Sequence, residues 1–429
     1  MKNYIFRILA SLLFMTVSAS SISLDEALIE SINNNLTLKI NKFNLEIAKE
    51  DIFQSKADFL PSISLVGSMS QTENTNITLQ TGGSSSDSKL NSSSKSIIIS
   101  QSIFSGFSRE YDLMSSKSSY ELQELNLKKS KQDVILETID VYYSTLIFDK
   151  TYRAYIENFN AVNKRFLSTK KEFEVGLASK TDVAQAESFM NTAKINMLNS
   201  KINYNNSINS FKDLVGVNAE NLVFSKILTP LPSSSKIFND LIMNNNLTIL
   251  IAKTNLDIKS AQVGTAESIL YPKISLTASK SEVDESTTIV DSATIDEIKA
   301  TVSWPIFNSG KSLSTVKQAK KLKNSYQILL QKTQMDTMTL ASTIWEQSVI
   351  VKDTIEAAKL SYEASKTAFE GTKIEQEVGE RTVLDVLNAQ QTLLKSEIEF
   401  FNQQKNQEVI KAQVLYLIGD LNIENIVRK

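Results

Sequence analysis

The 429-residue sequence contains no cysteine and no histidine. Without cysteine there is no disulfide framework, no thiolate chemistry and no cysteine to carry a lipid at a processed N-terminus. Without histidine the commonest general base is missing, and a borderline metal would find only carboxylates. No nucleotide-binding loop, nucleophile–base pair or zinc spacing occurs either, so no cofactor, no metal site and no enzymatic role are expected. The formal net charge is only −2, which argues against a nucleic-acid partner. Glycine and proline are scarce, at 11 and 5 residues. Neither lies between Phe107 and Val175, nor between Lys311 and Glu370. Such long unbroken polar–apolar stretches predict very long helices.

Hydrophobic runs are as sparse. Lys2 and Arg7 precede an apolar run from Ile8 to Val17, followed by the small residues Ser18-Ala19-Ser20-Ser21. This pattern predicts a secretory leader over residues 1–19, with Ser20 or Ser21 also serving as the cleavage point. The alternative is a retained membrane helix, for which the run is short. Beyond it, no stretch approaches the ~20 apolar residues of a spanning helix.

What the chain does contain is itself, twice. Asn33-Asn34-Asn35-Leu36-Thr37 returns at Asn244-Asn245-Asn246-Leu247-Thr248, and Pro61-Ser62-Ile63-Ser64-Leu65 returns as Pro272-Lys273-Ile274-Ser275-Leu276. Further on, Ile103-Phe104, Val175-Gly176, Asp182 and Gly216 match Ile306-Phe307, Val378-Gly379, Asp385 and Gly419. Internal repetition overrides the length prior and predicts one body built from two equivalent halves. The offset between copies shrinks after Pro61, so the first copy carries an insertion over 72–95, rich in Ser, Asn and Thr, as a surface loop would be.

Each copy opens with a helical pattern, from Ser23 to Asp58 in the first, that Pro61 or Pro272 ends. Period-two alternation follows. Ile63, Leu65, Gly67 and Met69 oppose Ser62, Ser64, Ser68 and Ser70, and Ile97, Ile99, Gln101 and Ile103 oppose Ser96, Ser100 and Ser102. In the second copy Ile274, Leu276 and Ala278 are followed by Ile298, Ala300, Val302, Trp304 and Ile306, against Lys, Ser and Thr. Two readings fit: a soluble hairpin with one buried face, or strands of about ten residues that cross a bilayer between lipid and a polar lumen. On the second, four strands cannot close a barrel, because the smallest bacterial barrels have about eight. Open edges do not survive in lipid, so several chains would have to share one barrel.

Apolar residues then recur every seventh position at Leu113, Tyr120, Leu127, Val134, Val141, Phe148, Tyr155 and Val162, joined by Tyr152, Phe159, Phe166 and Phe173. Sustained heptads predict coiled-coil packing. Gly176 and Gly379 end the long helices, and Thr181 or Asp182 is placed to cap the first return helix. The expected layout is a leader at 1–19 and a first repeat at 20–216, with strands near 62–72 and 96–105, a long helix 107–174 and a return helix 181–214. A linker at 217–236 leads to a second repeat at 237–419, with strands near 273–283 and 296–307, a long helix 311–377 and a return helix 382–417. A C-terminal tail at 420–429 completes it.

Several motifs stand in this duplicated order: Leu60-Pro61-Ser62-Ile63 and Tyr271-Pro272-Lys273-Ile274 before the hairpins, Pro305-Ile306-Phe307-Asn308-Ser309-Gly310 entering the second long helix, and the two turns at 174–183 and 377–386. In that order the chain resembles TolC-type outer-membrane efflux proteins over nearly its whole mature length. The resemblance implies an α+β membrane protein of the bacterial outer membrane: a homotrimer whose 12-stranded β-barrel, four strands per chain, sits in outer-membrane lipid and continues as a long α-helical coiled-coil barrel through the periplasm. It implies docking of a periplasmic adaptor (membrane fusion protein) and, through it, an inner-membrane RND or ABC pump. The tips Val175, Gly176, Leu177, Val378 and Gly379 would meet the adaptor, and Trp304 would sit in the interfacial aromatic belt.

The resemblance also carries over a periplasmic gate. Arg381 and Asp385 match the family's second-tip arginine and a constriction-ring aspartate, and Asp182 and Thr181 match first-tip residues held in the closed state. An arginine can bridge carboxylate and hydroxyl partners on neighbouring helices, and breaking that link would free the inner pair to swing outward. Two positions depart from the pattern: Gln376 replaces a tyrosine, and Asn388 replaces a second aspartate, which implies a weaker latch and a weaker cation block. The expected function is a passive exit duct for tripartite efflux or type I secretion. The alternative is a secreted coiled-coil structural or adhesion protein without a pore.

Overall fold

The computed structural model describes residues 22–75, 88–228, 230–284 and 291–426. The expected leader lies outside them, as do residues 76–87 of the first-copy insertion and the last three of the tail. The first repeat runs α1 (Leu24–Asn34), α2 (Leu36–Ala57), β1 (Ser62–Asn74), β2 (Ser88–Phe104), α3 (Ser108–Glu174) and α4 (Lys180–Val215). The second runs α5 (Ser235–Asn245), α6 (Leu247–Glu267), β3 (Lys273–Asp284), β4 (Ser292–Ser303), α7 (Lys311–Glu377) and α8 (Val383–Leu417), and the short α9 (Ile423–Ile426) follows. The chain divides into two compact units. One holds residues up to Ile40, Lys128–Leu247 and Met335 onward; the other holds Asn41–Leu127 and Thr248–Gln334.

The opening helix of each repeat is not continuous, contrary to the sequence expectation. Asn35 and Asn246 adopt extended backbone, with ψ of 119° and 121°. The Asn35 side chain accepts the Leu38 N–H at 3.0 Å, starting a new helix, and the Asn246 amide donates to the Leu417 carbonyl at 2.9 Å. Asparagine competes for backbone hydrogen bonds in this way, which is why the recurring Asn-Asn-Asn motif marks a break in both copies.

In the second unit the four strands form one antiparallel sheet in the order β1-β2-β3-β4, so the two repeats meet along β2 and β3. Three strand boundaries differ from expectation by four residues or more, the first being the start of β4 at Ser292, which pairs with Asp284. β2 begins at Ser88 because Thr72, Glu73 and Asn74 pair with Leu90, Lys89 and Ser88, where Leu90 is the single apolar residue and no alternation shows. β4 stops at Ser303, since Pro305 has no N–H to give a ladder. A register shift between Ser102 and Phe104 interrupts the end of β2 just before α3. Arg109 holds that corner: its guanidinium donates to the carbonyls of Ser102 at 2.7 Å, Ile103 at 3.1 Å and Asp58 at 3.2 Å, and it lies 4.9 Å from the Phe59 ring centroid.

The first unit carries the main core. Ile135, Ile139, Tyr142 and Tyr143 of α3 pack with Leu24 and Leu28 of α1, Phe211 and Val215 of α4, and Ala412 and Leu415 of α8. The tail joins them through Leu421 and Ile426. By contrast, the heptad residues Phe148 and Phe173 are 37% and 44% exposed in the single chain. The linker is strapped down. Tyr142 Oη lies 2.8 Å from the Val223 carbonyl and accepts the Val223 N–H, while Tyr143 donates to the Ser225 carbonyl. The Ile227 N–H donates to the fully buried Glu408 at 2.7 Å, and Lys411 donates to both Glu408 oxygens and to the Ile227 carbonyl. Burial pushes the Tyr142 phenol up to about 12.

Candidate functional site

The sheet has two unlike faces. On one, Ser62, Ser64, Ser68 and Ser70 stand beside Ser100, Ile98, Ser94 and Ser92, and the row continues through Ser275, Thr277, Ser279 and Ser281 to Thr301, Lys299 and Glu297. Hydroxyl pairs at Ser68–Ser94 (2.7 Å) and Ser70–Ser92 (2.9 Å) tie this face together. On the other face lie Ile63, Leu65, Ile97, Ile99, Leu276, Ala278, Ile298, Ala300 and Val302. Among the described residues nothing packs over this face as a layer, and Leu65 is 78% exposed and Ile298 81%. The outer edges of β1 and β4 pair with nothing among the described residues. Trp304, just beyond β4, is exposed and donates its indole N–H to the Leu270 carbonyl at 3.1 Å.

The second candidate site is the pair of helix turns. In each, the long helix ends on a glycine with left-handed backbone, Gly176 at φ 78° and Gly379 at φ 86°. The Leu177 N–H reaches back to the Glu172 carbonyl and Gly176 to Phe173; Glu380 and Gly379 do the same to Glu375 and Gln376. This is the six-to-one and five-to-two closure that satisfies the last carbonyls of a helix. Val175, Leu177 and Val378 project 70–81% exposed, and open space surrounds both glycines.

The return helices start with reciprocal caps. Ser179, not Thr181 or Asp182, caps α4: its hydroxyl accepts the Asp182 N–H, and its own N–H donates to the Asp182 carboxylate at 2.8 Å. Thr382 and Asp385 repeat the arrangement at α8, with the Thr382 hydroxyl donating to the Asp385 carboxylate at 2.7 Å. Hydrogen bonds from Ser179 hold the Asp182 carboxyl below its ordinary range. Those from Thr382, with Arg381 nearby, do the same for Asp385.

Arg381 donates from Nε to Glu375 at 3.0 Å, and that carboxylate raises the guanidinium further above its already high range. Among the described residues no ion pair joins Arg381 to Asp182 within one chain, and Thr181 is an exposed residue of the first turn of α4. Gln376 is half-buried in the last turn of α7, and Asn388 is exposed on α8. The sequence reading missed Glu375 and Ser179. The Ser-x-x-Asp spacing was a usable signal for Ser179, whereas nothing local marks Glu375. Among the described residues, no cluster of carboxylates is arranged to hold a metal, and no helix is long and apolar enough to cross a membrane.

Comparison with known proteins agrees with this geometry. The family model described as outer membrane efflux protein matches residues 27–217 and 240–420, one match per repeat. The outer membrane efflux protein BepC of Brucella suis is 23% identical over 410 residues, covering 95% of this chain and 88% of that protein. Outer membrane protein TolC of Escherichia coli is 24% identical over 363 residues, covering 78% and 69%. The crystal structure of the Campylobacter jejuni CmeC outer membrane channel superposes with a TM-score of 0.83 at 19% identity, covering 93% of this chain and 86% of that one, a likeness of fold.

Proposed function

Because the chain belongs to the outer membrane efflux protein family, we propose that it is the outer-membrane exit duct of a tripartite efflux or type I secretion system. One observation carries this: a four-stranded sheet with two open edges, one hydroxyl-rich face and one uncovered apolar face, leading into helices of 67 residues. Open edges in lipid require further strands. Three copies supply twelve, with the apolar face toward lipid and the hydroxyl face lining the lumen. A secreted coiled-coil protein without a pore leaves both the edges and the apolar face unexplained. The family is one of channels, and this duct moves its cargo passively; energy comes from an inner-membrane pump reached through a periplasmic adaptor at the Val175–Leu177 and Val378–Gly379 tips.

Arg381, Asp385, Asp182, Thr181, Gln376 and Asn388 form the periplasmic constriction in this proposal. Asp385 carries the ring of carboxylates that favours cations over anions. The Arg381–Glu375 pair is an exposed one and so weak, which leaves the guanidinium able to exchange Glu375 for a hydroxyl or carboxylate of an adjoining chain. The test is conductance of the full-length protein in planar bilayers. A trimer with small, cation-preferring steps is expected, and Arg381→Ala should enlarge the steps. A monomer that never conducts would overturn the duct; an Arg381→Ala trimer with unaltered steps would overturn the gate alone.

A further inference from the structure

The apolar face of the sheet is not uniform. Across β2, β3 and β4 its rows read Gln101–Leu276–Ala300, Ile99–Ala278–Ile298, Ile97–Lys280–Asp296 and Lys95–Glu282–Thr294. In the second row a small residue stands between two isoleucines. Ile99 and Ile298 are two strand spacings apart, about 10 Å, so the gap over Ala278 has room for a single hydrocarbon chain. Ile97, Ile99, Ala278, Lys280, Asp296 and Ile298 line this open groove of about 540 Å³.

One end of the groove is charged. Lys280 lies 3.9 Å from Asp296, with their side chains 61% and 72% exposed, and Lys95 follows one row further on. A pair that long and that exposed holds its ammonium loosely. Lys280 therefore keeps donors for a phosphate at the point where the apolar rows stop. This end faces the β3–β4 hairpin, away from α6 and α7 in chain order, which on the duct reading is the outer leaflet.

Resting on that reading, we propose that the face is a binding site for one outer-leaflet lipid, a phosphorylated and acylated glycolipid of the lipid A kind, with an acyl chain lying over Ala278 and a phosphate on Lys280. Both parts of the ligand match features in register on the same strand. The hydrocarbon chain needs the small side chain at 278, and the phosphate needs the cation two residues on. Lys95 supplies a second positive charge, while Asp296 and Glu282 leave room for the divalent cations that bridge neighbouring phosphates.

The test is native mass spectrometry of the full-length protein in detergent, incubated separately with lipid A, dephosphorylated lipid A and phosphatidylethanolamine. The wild type is expected to retain lipid A in preference to the other two. Ala278→Trp should fill the groove and lower retention about tenfold, equal to ~1.4 kcal/mol. Lys280→Gln should keep binding but lose the preference for the phosphorylated form. Ala300→Trp, on the same face outside the groove, is the control and should bind as the wild type does. Equal retention of all three lipids, equal losses in Ala278→Trp and Ala300→Trp, or no lipid adduct on a native trimer would each overturn the site. Conductance of the same preparations separates the two levels: a conducting trimer without lipid preference refutes the lipid site alone, and a protein that neither assembles nor conducts refutes the duct.

Discussion

Replacing Glu408 with alanine should release the linker between the repeats, and the structure sets the size of the effect. Glu408 is fully buried on α8, accepts the Ile227 N–H at 2.7 Å and is bridged by Lys411 at 3.0 and 3.1 Å. Removing the carboxylate leaves a buried N–H without its acceptor and Lys411 without its counter-charge. Breaking one side of a buried pair costs ~3–5 kcal/mol, and because Lys411 keeps some solvent contact and its bond to the Ile227 carbonyl, about 3 kcal/mol is expected. Lys226, exposed and next to Ile227, offers trypsin a cut within the strap. Where opening is fast relative to cleavage, the cutting rate follows the open population, so ~3 kcal/mol means a rise of about 100-fold. Glu408→Gln can still accept the Ile227 N–H and loses mainly the charge assistance. About 1–2 kcal/mol is expected, or a rise of roughly 5- to 30-fold. Native-gel mobility must stay that of the wild type, so that the cut reports local opening. If Glu408→Ala leaves the rate of cleavage after Lys226 within threefold of the wild type, as for a ΔΔG below about 0.7 kcal/mol, the clasp does not hold the linker.

Two further outcomes follow from the geometry. Gly264 of α6 lets the Tyr111 ring of α3 lie against its backbone, and a β-carbon there would collide with that ring; Gly264→Ala should cost about 1–3 kcal/mol and lower the thermal unfolding temperature of the purified protein followed by circular dichroism, and an unchanged temperature would mean the ring moves aside freely. The carboxyls of Asp182 and Asp385 are depressed by their capping hydrogen bonds. A depressed folded-state carboxyl contributes stability that is present above its unfolded pKa, about 3.9, and is lost as pH falls through the lower folded value. Amide exchange in the first turns of α4 and α8, corrected for the intrinsic rate, should thus stay level from neutral pH down to about 5 and rise only below about 4; a rise near pH 6 would refute the capping assignment.

Much of this architecture is legible in the sequence because the signals are periodic. The stretches without glycine or proline become α3 and α7, and the serine–isoleucine alternation separates the two faces of the sheet. What stays illegible has physical causes. The Asn35 and Asn246 breaks escape because asparagine in a helical pattern is ordinary, and only a partner elsewhere, such as the Leu417 carbonyl, shows that the chain turns there. Residues 88–95 of β2 escape because a stretch whose single apolar residue is Leu90 has no alternation to read. The core of α3 runs through Ile135, Ile139, Tyr142 and Tyr143, whereas the heptad seam is covered within one chain only in part: Val134 and Val162 are buried, while Phe148 and Phe173 stay 37% and 44% exposed. A seam of that kind is visible as a period long before its partner is known.

The two tips bear on the proposed gate through their difference. They share the same glycine closure and the same reciprocal cap, with Ser179 and Asp182 in one, Thr382 and Asp385 in the other. Even the glutamate recurs, as Glu172 and Glu375, but their partners differ. Glu172 accepts from Ser168 on its own helix at 3.1 Å, whereas Glu375 accepts from Arg381. The first turn has Ala178 where the second has Arg381, and it closes with the same hydrogen bonds. The fold of the turn therefore does not depend on the arginine. The Glu375 pair cannot be what fixes the arginine there either, because an exposed ion pair contributes little. A cation that its own turn does not need, held loosely beside the Asp385 carboxyl on an exposed tip, is suited to contacts outside its own chain. In the proposed duct, the break in the duplication then falls at the constriction, where a threefold assembly built from near-equal units needs a residue that one unit has and the other lacks.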